Sequence, residues 1–198
     1  VSFWREEHRK AGYKEVSTPQ VLDSRLWKIS GHWEKYKGQF ITEYEDRDFI
    51  VKPMNCPGGM ILFREGQKSY RDLPLRVAEL GIVHRQELSG VLNGLFRVIK
   101  FTQDDAHLFC TEEQLEPEIK GVMDMILHFF DKFGLTFDHV ELSTRPEKRI
   151  GSDETWEKAE KLLEHVLIKN KVQYKINPGD GAFYGPKIDF HLKDSLGR

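Results

Sequence analysis

The densest chemistry in this sequence lies between His84 and His107. His84-Arg85-Gln86-Glu87 leads into a loop, and Arg97-Val98-Ile99-Lys100-Phe101-Thr102-Gln103-Asp104-Asp105-Ala106-His107 follows it. Cations, carboxylates and an imidazole are costly to bury on a sheet unless they are paired or put to use. Because successive strand residues point to opposite faces, Arg97, Ile99, Phe101, Gln103, Asp105 and His107 share one side, and Val98, Lys100, Thr102, Asp104 and Ala106 the other. The first side offers a cation, an aromatic ring, an amide, a carboxylate and an imidazole in succession. That equipment suits a ligand with a phosphate, a flat base and a small polar part. A solvated sheet face is the competing reading.

Four further groups carry polar or reactive side chains. Lys52-Pro53-Met54-Asn55-Cys56-Pro57-Gly58 contains one of two cysteines. A lone cysteine is most often a small buried hydrophobe. Joined to His107 it makes only half of a zinc ligand set. Gly179-Asp180-Gly181-Ala182-Phe183-Tyr184-Gly185-Pro186-Lys187 is glycine-rich but departs from the phosphate-binding pattern, because Ile188 follows the lysine. On its own it reads as a tight turn entering a strand. His32, in Ser30-Gly31-His32-Trp33, is open to surface and site readings alike, and Arg145-Pro146-Glu147-Lys148-Arg149 reads as a solvated charged turn.

The elements that must position these groups are legible in outline. The first residues have mid-helix character. A helix is expected over 22–30, with Asp23 and Ser24 as its polar starters. A second follows Thr111, with Gln114 as capping-box partner, and carries Ile119, Val122, Met123, Ile126 and Phe130 towards Gly134. A third starts near Ser152, with Asp153 and Glu154 in its first turn and Trp156, Ala159, Leu162, Leu163 and Val166 on one stripe. Pro57 suits the first turn of a short helix after Cys56. Strands are expected over 39–42, 49–52, 75–85, 95–110, 140–144, 172–176 and 187–192. The two long central runs flank a loop at 87–94 containing two glycines, which favours antiparallel pairing. Helices and strands do not alternate regularly, so the fold class expected is α+β: an antiparallel sheet flanked by helices.

Composition bounds the rest. The 198 residues are 39% hydrophobic and 31% charged, enough apolar material for a sizeable core without a visible linker, and one compact unit is expected. No apolar run is long enough to span a membrane. A net charge of −2 lacks the basic excess of a non-specific nucleic-acid binder. Two cysteines imply no disulfide framework, so a cytoplasmic setting is expected. The start is neither an initiator methionine nor a signal peptide, and a piece of a longer protein is expected.

Several strings then resemble one family. Trp27…Gly31-His32-Trp33, Lys52–Gly58, Ser69-Tyr70-Arg71-Asp72-Leu73-Pro74-Leu75-Arg76, Phe101–Cys110, Leu142-Ser143-Thr144-Arg145-Pro146-Glu147-Lys148-Arg149-Ile150-Gly151-Ser152 and Gly181–Lys187 are similar, in order and along the whole chain, to threonyl-tRNA synthetases. The resemblance implies a class II synthetase catalytic domain over residues 1–198, with a six- or seven-stranded antiparallel sheet. It implies activation of threonine with ATP and transfer to tRNA(Thr), with Mg²⁺ accompanying ATP. Pro19 would lie in the segment that builds the homodimer. Arg85 and Glu87 would form the ATP-binding pair, with Arg85 also stabilising the transition state. Arg97 would hold the far phosphates and Phe101 would stack on adenine.

The same resemblance implies that Cys56 and His107 are two of three zinc ligands, the third lying beyond residue 198. Asp105 would accept the threonine hydroxyl hydrogen, while Met54, Gln103, Tyr184 and Lys187 would line the amino-acid pocket. Lys187 and His32 would also be catalytic, His32 in the transfer step. The motif 3 arginine and anticodon-binding domain would lie beyond Arg198, leaving the 198 residues inactive alone. Gly59 stands where a histidine is common, Leu88 replaces a usual proline, Asn93 a usual histidine and Ile99-Lys100 a usual Arg-Gly pair. These departures bear on ATP and tRNA acceptor contacts. Two alternatives stand beside this reading: a non-catalytic synthetase-like RNA-binding or regulatory module, and another class II enzyme such as a seryl or prolyl synthetase.

Overall fold

The computed structural model describes residues 1–66, 68–194 and 197. They form two compact units, Val1–Thr111 and Glu112–Arg198. Each carries its own buried apolar residues, which is why no linker-like composition marks the division.

The first unit opens with helix α1 (Ser2–Lys10), then the short strands β1 (Lys14–Glu15) and β2 (Val21–Asp23). The helix expected at 22–30 begins only at Ser24, as α2 (Ser24–Ile29), because the Asp23 carboxylate caps it by accepting from the Arg25 N–H. A single turn, α3 (His32–Lys35), follows. The hairpin of β3 (Phe40–Tyr44) and β4 (Arg47–Val51) turns at Glu45 and Asp46, both at positive φ. Two left-handed residues match the twist of a two-residue hairpin, and they extend these strands to 44 and back to 47. Strands β2, β4 and β3 make one antiparallel sheet in that order.

Helix α4 (Cys56–Arg64) starts where expected, with proline in its first turn. Strands β5 (Leu75–His84) and β6 (Lys100–Phe109) pair antiparallel over their full length, and β1 joins β5 in parallel. The strand expected from residue 95 begins instead at Lys100. Asn93 and Arg97 close a tight bridge between themselves, so 93–97 is spent on the turn.

In the second unit, α5 (Glu112–Phe133) ends at Gly134. This glycine adopts φ 65°, its N–H bonding Asp131 while the Leu135 N–H reaches back to Phe130. Such a left-handed cap satisfies the last carbonyls, and glycine takes it without steric cost. Strand β7 (Phe137–Ser143) leads to α6 (Asp153–Lys169), capped by the Ser152 side chain on the Thr155 N–H. Residues 172–174, expected as strand, close the helix end: Lys171 is left-handed and the Val172 N–H bonds the Leu167 carbonyl. Pairing starts later, in β8 (Lys175–Asn177), parallel to β7, while β9 (Lys187–Leu192) runs antiparallel on its other side. Met123, Val140, Leu142, Val166 and Leu167 form the buried core, with Ile188 and Phe190 packed against it. Alternation along β7 and β9 therefore leaves His139, Glu141, Ser143, Lys187, Asp189 and His191 on the opposite, polar face.

The α+β class holds. The single six- or seven-stranded sheet does not appear as such: among the described residues the hydrogen bonding groups nine strands into three sheets of three.

Candidate active site

The β5–β6 register sets Val77 opposite His107, Glu79 opposite Asp105, Gly81 opposite Gln103 and Val83 opposite Phe101. Strand alternation thus places Phe101, Gln103, Asp105 and His107 on one face, as their spacing predicts. That face is covered by the 52–55 segment and α4. The Phe63 ring of α4 stacks on Phe109 with centroids 4.0 Å apart. Gly59, one turn into α4, lies against the His107 imidazole: a Cβ there would sit 3.2 Å from the ring.

Asn55 organises the centre of the face. Buried at 1% exposure, it donates through Nδ2 to Asp105 Oδ2 at 2.9 Å and to Gln103 Oε1 at 3.3 Å. Its own Oδ1 is buried with no hydrogen-bond partner among the described residues. The amide fits because residue 81 has no side chain, since a Cβ at Gly81 would fall 2.1 Å from Asn55 Nδ2. Glu79, on the same face, is consumed structurally. Its carboxylate accepts from Lys52 Nζ at 3.0 Å, from the Thr18 N–H at 2.8 Å and from the Thr18 hydroxyl. Lys52 is fully buried and also donates to Thr18 Oγ1 at 2.8 Å. A buried ion pair survives only with such additional hydrogen bonds, and this one ties the segment before Pro19 to the floor of the site.

At the β5 end of the face the Arg85 guanidinium lies 5.0 Å over the Phe101 ring and donates through Nε to the Pro53 carbonyl at 3.2 Å. A cation over an aromatic face gains from the ring quadrupole. Arg97, more exposed, is paired with Glu87 at 3.0 Å. Arg85, Glu87, Arg97 and Phe101 line one cleft of about 390 Å³, together with Leu95, Phe96 and Val98. Two cations and a ring in such a cleft suit a polyphosphate joined to a flat base. Burial holds the Tyr36 phenol above its ordinary range, and the charges of Arg85, Glu87 and Arg97 also act on it, so Tyr36 belongs to this neighbourhood.

Cys56, the first residue of α4, lies three residues before Gly59 and therefore on the helix face that meets His107. Burial pushes its thiol up to about 11, helped by the Asp105 carboxylate. Cys56 and His107 are side chains that could hold Zn²⁺, whose charge would stabilise the thiolate against that burial. Met54 is half-buried beside this cluster in sequence. His32 is buried with Nδ1 2.8 Å from Ser30 Oγ and its ring edge-on to Trp27. Burial, then Lys35, lowers its pKa, so the imidazole is neutral at pH 7. Tyr184 and Lys187 stand in the second unit. Tyr184 is exposed, and Lys187 bonds Asp180 at 3.0 Å and Asp189 at 3.1 Å. Burial opposes the Lys187 charge, but the two carboxylates outweigh it and its pKa is raised.

Spacing found the β6 face but missed Asn55, Gly81, Glu79, Thr18 and Tyr36. Only the short string containing Lys52 and Asn55 stood out, and nothing in it distinguished the lysine that is buried from one in solvent.

With this geometry in view, the profile described as tRNA synthetase class II core domain (G, H, P, S and T) matches residues 36–198. The chain belongs to this class II synthetase family. Within it, the chain is 60% identical to a threonine--tRNA ligase of Acetivibrio thermocellus over 197 residues, 99% of this chain and 31% of the relative. It thus spans about a third of the length of the curated relatives it matches. A threonyl-tRNA synthetase crystal structure from Cryptosporidium parvum, described as its RNA binding domain, superposes with a TM-score of 0.95 at 46% identity, covering 100% of this chain and 49% of that one. A putative threonyl-tRNA synthetase from Aeropyrum pernix gives 0.88 at 33% identity, over 97% and 46%. The resemblance to threonyl enzymes read from the motifs therefore holds across the whole chain. No described helix is long and apolar enough to cross a membrane.

Proposed function

We propose that the protein to which this chain belongs activates threonine with ATP and transfers it to tRNA(Thr). The observation that carries the reading is the single face holding Arg85, Phe101, Gln103, Asp105 and His107, with Cys56 beside it. In the first step the threonine carboxylate attacks the α-phosphorus and pyrophosphate leaves; in the second a hydroxyl of the tRNA 3′-terminal ribose attacks the acyl carbon and AMP leaves. Neither step needs a protein nucleophile, so catalysis is positioning and charge. Arg85 neutralises the α-phosphate and incoming carboxylate as charge develops. Arg97 takes the far phosphates in exchange for Glu87, Mg²⁺ accompanies them, and adenine stacks on the side of Phe101 not covered by Arg85.

Cys56 and His107 would hold Zn²⁺ together with a further ligand. Zinc bound there supplies Lewis-acid sites for the amino and hydroxyl groups of threonine. Asp105, oriented by Asn55, accepts the hydroxyl hydrogen, and Met54 and Gln103 line the pocket within the first unit; the family resemblance assigns Tyr184 to threonine and Lys187 to catalysis. A neutral His32 serves the transfer step. Valine lacks the hydroxyl, and a site built to hydrogen-bond such a group rejects the analogue by roughly 10⁴–10⁵. The working assembly is a cytoplasmic homodimer through the segment around Pro19. The 198 residues, about a third of the relatives' length, form a catalytic domain that carries little activity alone.

Threonine-dependent exchange of labelled pyrophosphate into ATP by the full-length parent tests this. Exchange with threonine far above valine is expected; equal exchange with both, or none with threonine, would leave the non-catalytic RNA-binding or regulatory module as the better reading.

A further inference from the structure

The polar face of the β7–β9 sheet carries a second group of metal-ligand side chains, wholly within the second unit. His139 and His191 sit directly opposite each other in the antiparallel register, and their rings stack with centroids 4.4 Å apart and planes within 4°. Glu141, two residues along the same face, brings Oε1 to 3.2 Å from His139 Nε2 and Oε2 to 3.3 Å from His191 Nε2. One donor atom from each of the three lies within 4.8 Å of the others.

The surrounding hydrogen bonds decide what this cluster lacks. Asp138 Oδ2 lies 2.9 Å from His139 Nδ1, which makes Nδ1 the protonated nitrogen of the neutral ring. His139 Nε2 then turns a lone pair towards a carboxylate oxygen. Two acceptors at that distance repel unless a proton or a cation lies between them. One divalent ion held by His139 Nε2, His191 Nε2 and a Glu141 oxygen would relieve this repulsion. Donors at 2.0–2.2 Å from a tetrahedral ion are about 3.4 Å apart, close to the 3.2 and 3.3 Å separations to Glu141. Because the rings stack in parallel planes, one of them tilts about χ2 for both lone pairs to converge on the ion. The outer contacts also match those that orient metal ligands, since Asp138 holds the far nitrogen of His139 and Asn177 Nδ2 donates to Glu141 Oε2 at 2.8 Å. All three side chains remain partly open to solvent, which leaves an entry path and a free coordination position.

We propose that His139, Glu141 and His191 form a binding site for a borderline divalent transition ion such as Zn²⁺, separate from Cys56 and His107. Two imidazoles and one carboxylate favour such ions over Mg²⁺ or Ca²⁺, which prefer oxygen alone.

Equilibrium dialysis of the full chain against Zn²⁺ tests it. A Cys56→Ser chain, which has lost the thiolate ligand, is expected to retain one Zn²⁺. Adding His191→Ala or Glu141→Gln should weaken binding at least tenfold, and Asp138→Asn about tenfold through the outer contact. Should an alanine variant fail to fold by circular dichroism, Co²⁺ titration of the Cys56→Ser chain gives an independent reading: d–d bands without thiolate charge transfer are expected for the nitrogen–oxygen site. No stoichiometric Zn²⁺ in the Cys56→Ser chain, uptake indifferent to His191→Ala and Glu141→Gln, or Co²⁺ bands showing only thiolate ligation would overturn the proposal.

Discussion

Replacing Gly81 by alanine probes the centre of the site with a single methyl group. The added Cβ would lie 2.1 Å from Asn55 Nδ2 and 2.4 Å from both Cγ and Oδ1, far inside van der Waals contact. Asn55 is 1% exposed and cannot swing into solvent, so the amide must leave Asp105 and Gln103 or the strand must move. Losing a hydrogen bond to a charged group costs about 1.5–3 kcal/mol and a neutral one about 0.5–1.5 kcal/mol. Overpacking adds about 1–3 kcal/mol. Gly81→Ala should therefore destabilise the chain by roughly 3–7.5 kcal/mol in urea unfolding, within the total stability of a typical domain. The decisive comparison is the same substitution in an Asn55→Ala background. With the amide removed the clash disappears, and Gly81→Ala should cost less than about 1 kcal/mol. An equal cost in both backgrounds would refute the reasoning, because the methyl group would then be meeting something other than Asn55.

Further outcomes follow from the same geometry. Lys52→Met strands the Glu79 carboxylate and should cost about 3–5 kcal/mol in urea unfolding, whereas Lys52→Met with Glu79→Leu should recover much of it. Ser152→Ala removes the α6 cap and should lower stability by about 1 kcal/mol, read as a drop in thermal midpoint. The pKa of His32 is lowered in the fold, so the unfolded chain binds this proton first as pH falls. Its effect is absent above the ordinary value near 6.5 and costs stability progressively as pH drops from there to the lowered value. His32→Gln should flatten that part of the stability–pH curve, measured by denaturant titration between pH 7 and 5.

The sequence exposed what depends on periodicity and hid what depends on contacts. The stripe from Ile119 to Phe130, the Ser152 cap and the alternating face of β6 follow from spacing alone, and all three recur in the structure. Boundaries failed where a single hydrogen bond or turn decided them. Asp23 caps α2 from outside, Asn93 and Arg97 close a turn ahead of β6, and Val172 finishes a helix rather than starting a strand. Asn55 and Glu79 were invisible as site residues for a different reason. Their roles come from partners 50 and 61 residues away in sequence, and no local pattern announces a pairing over that distance. Spacing also left zinc as half a ligand set. The contact of Gly59 with His107 brings the helix that begins at Cys56 onto the strand that carries the imidazole, a closeness no local spacing announces. The His139–Glu141–His191 group escaped for the same reason, its members being drawn from two strands that meet only in the folded sheet.

The central claim, that the β6 face selects threonine, is tested most directly by Asp105→Asn in the full-length parent, measured by pyrophosphate exchange. A KM for threonine raised about 10- to 100-fold is expected, the worth of roughly 1.5–3 kcal/mol for a hydrogen bond to a charged group, with the KM for ATP nearly unchanged. An unchanged KM for threonine, or an equal rise for both substrates, would contradict it.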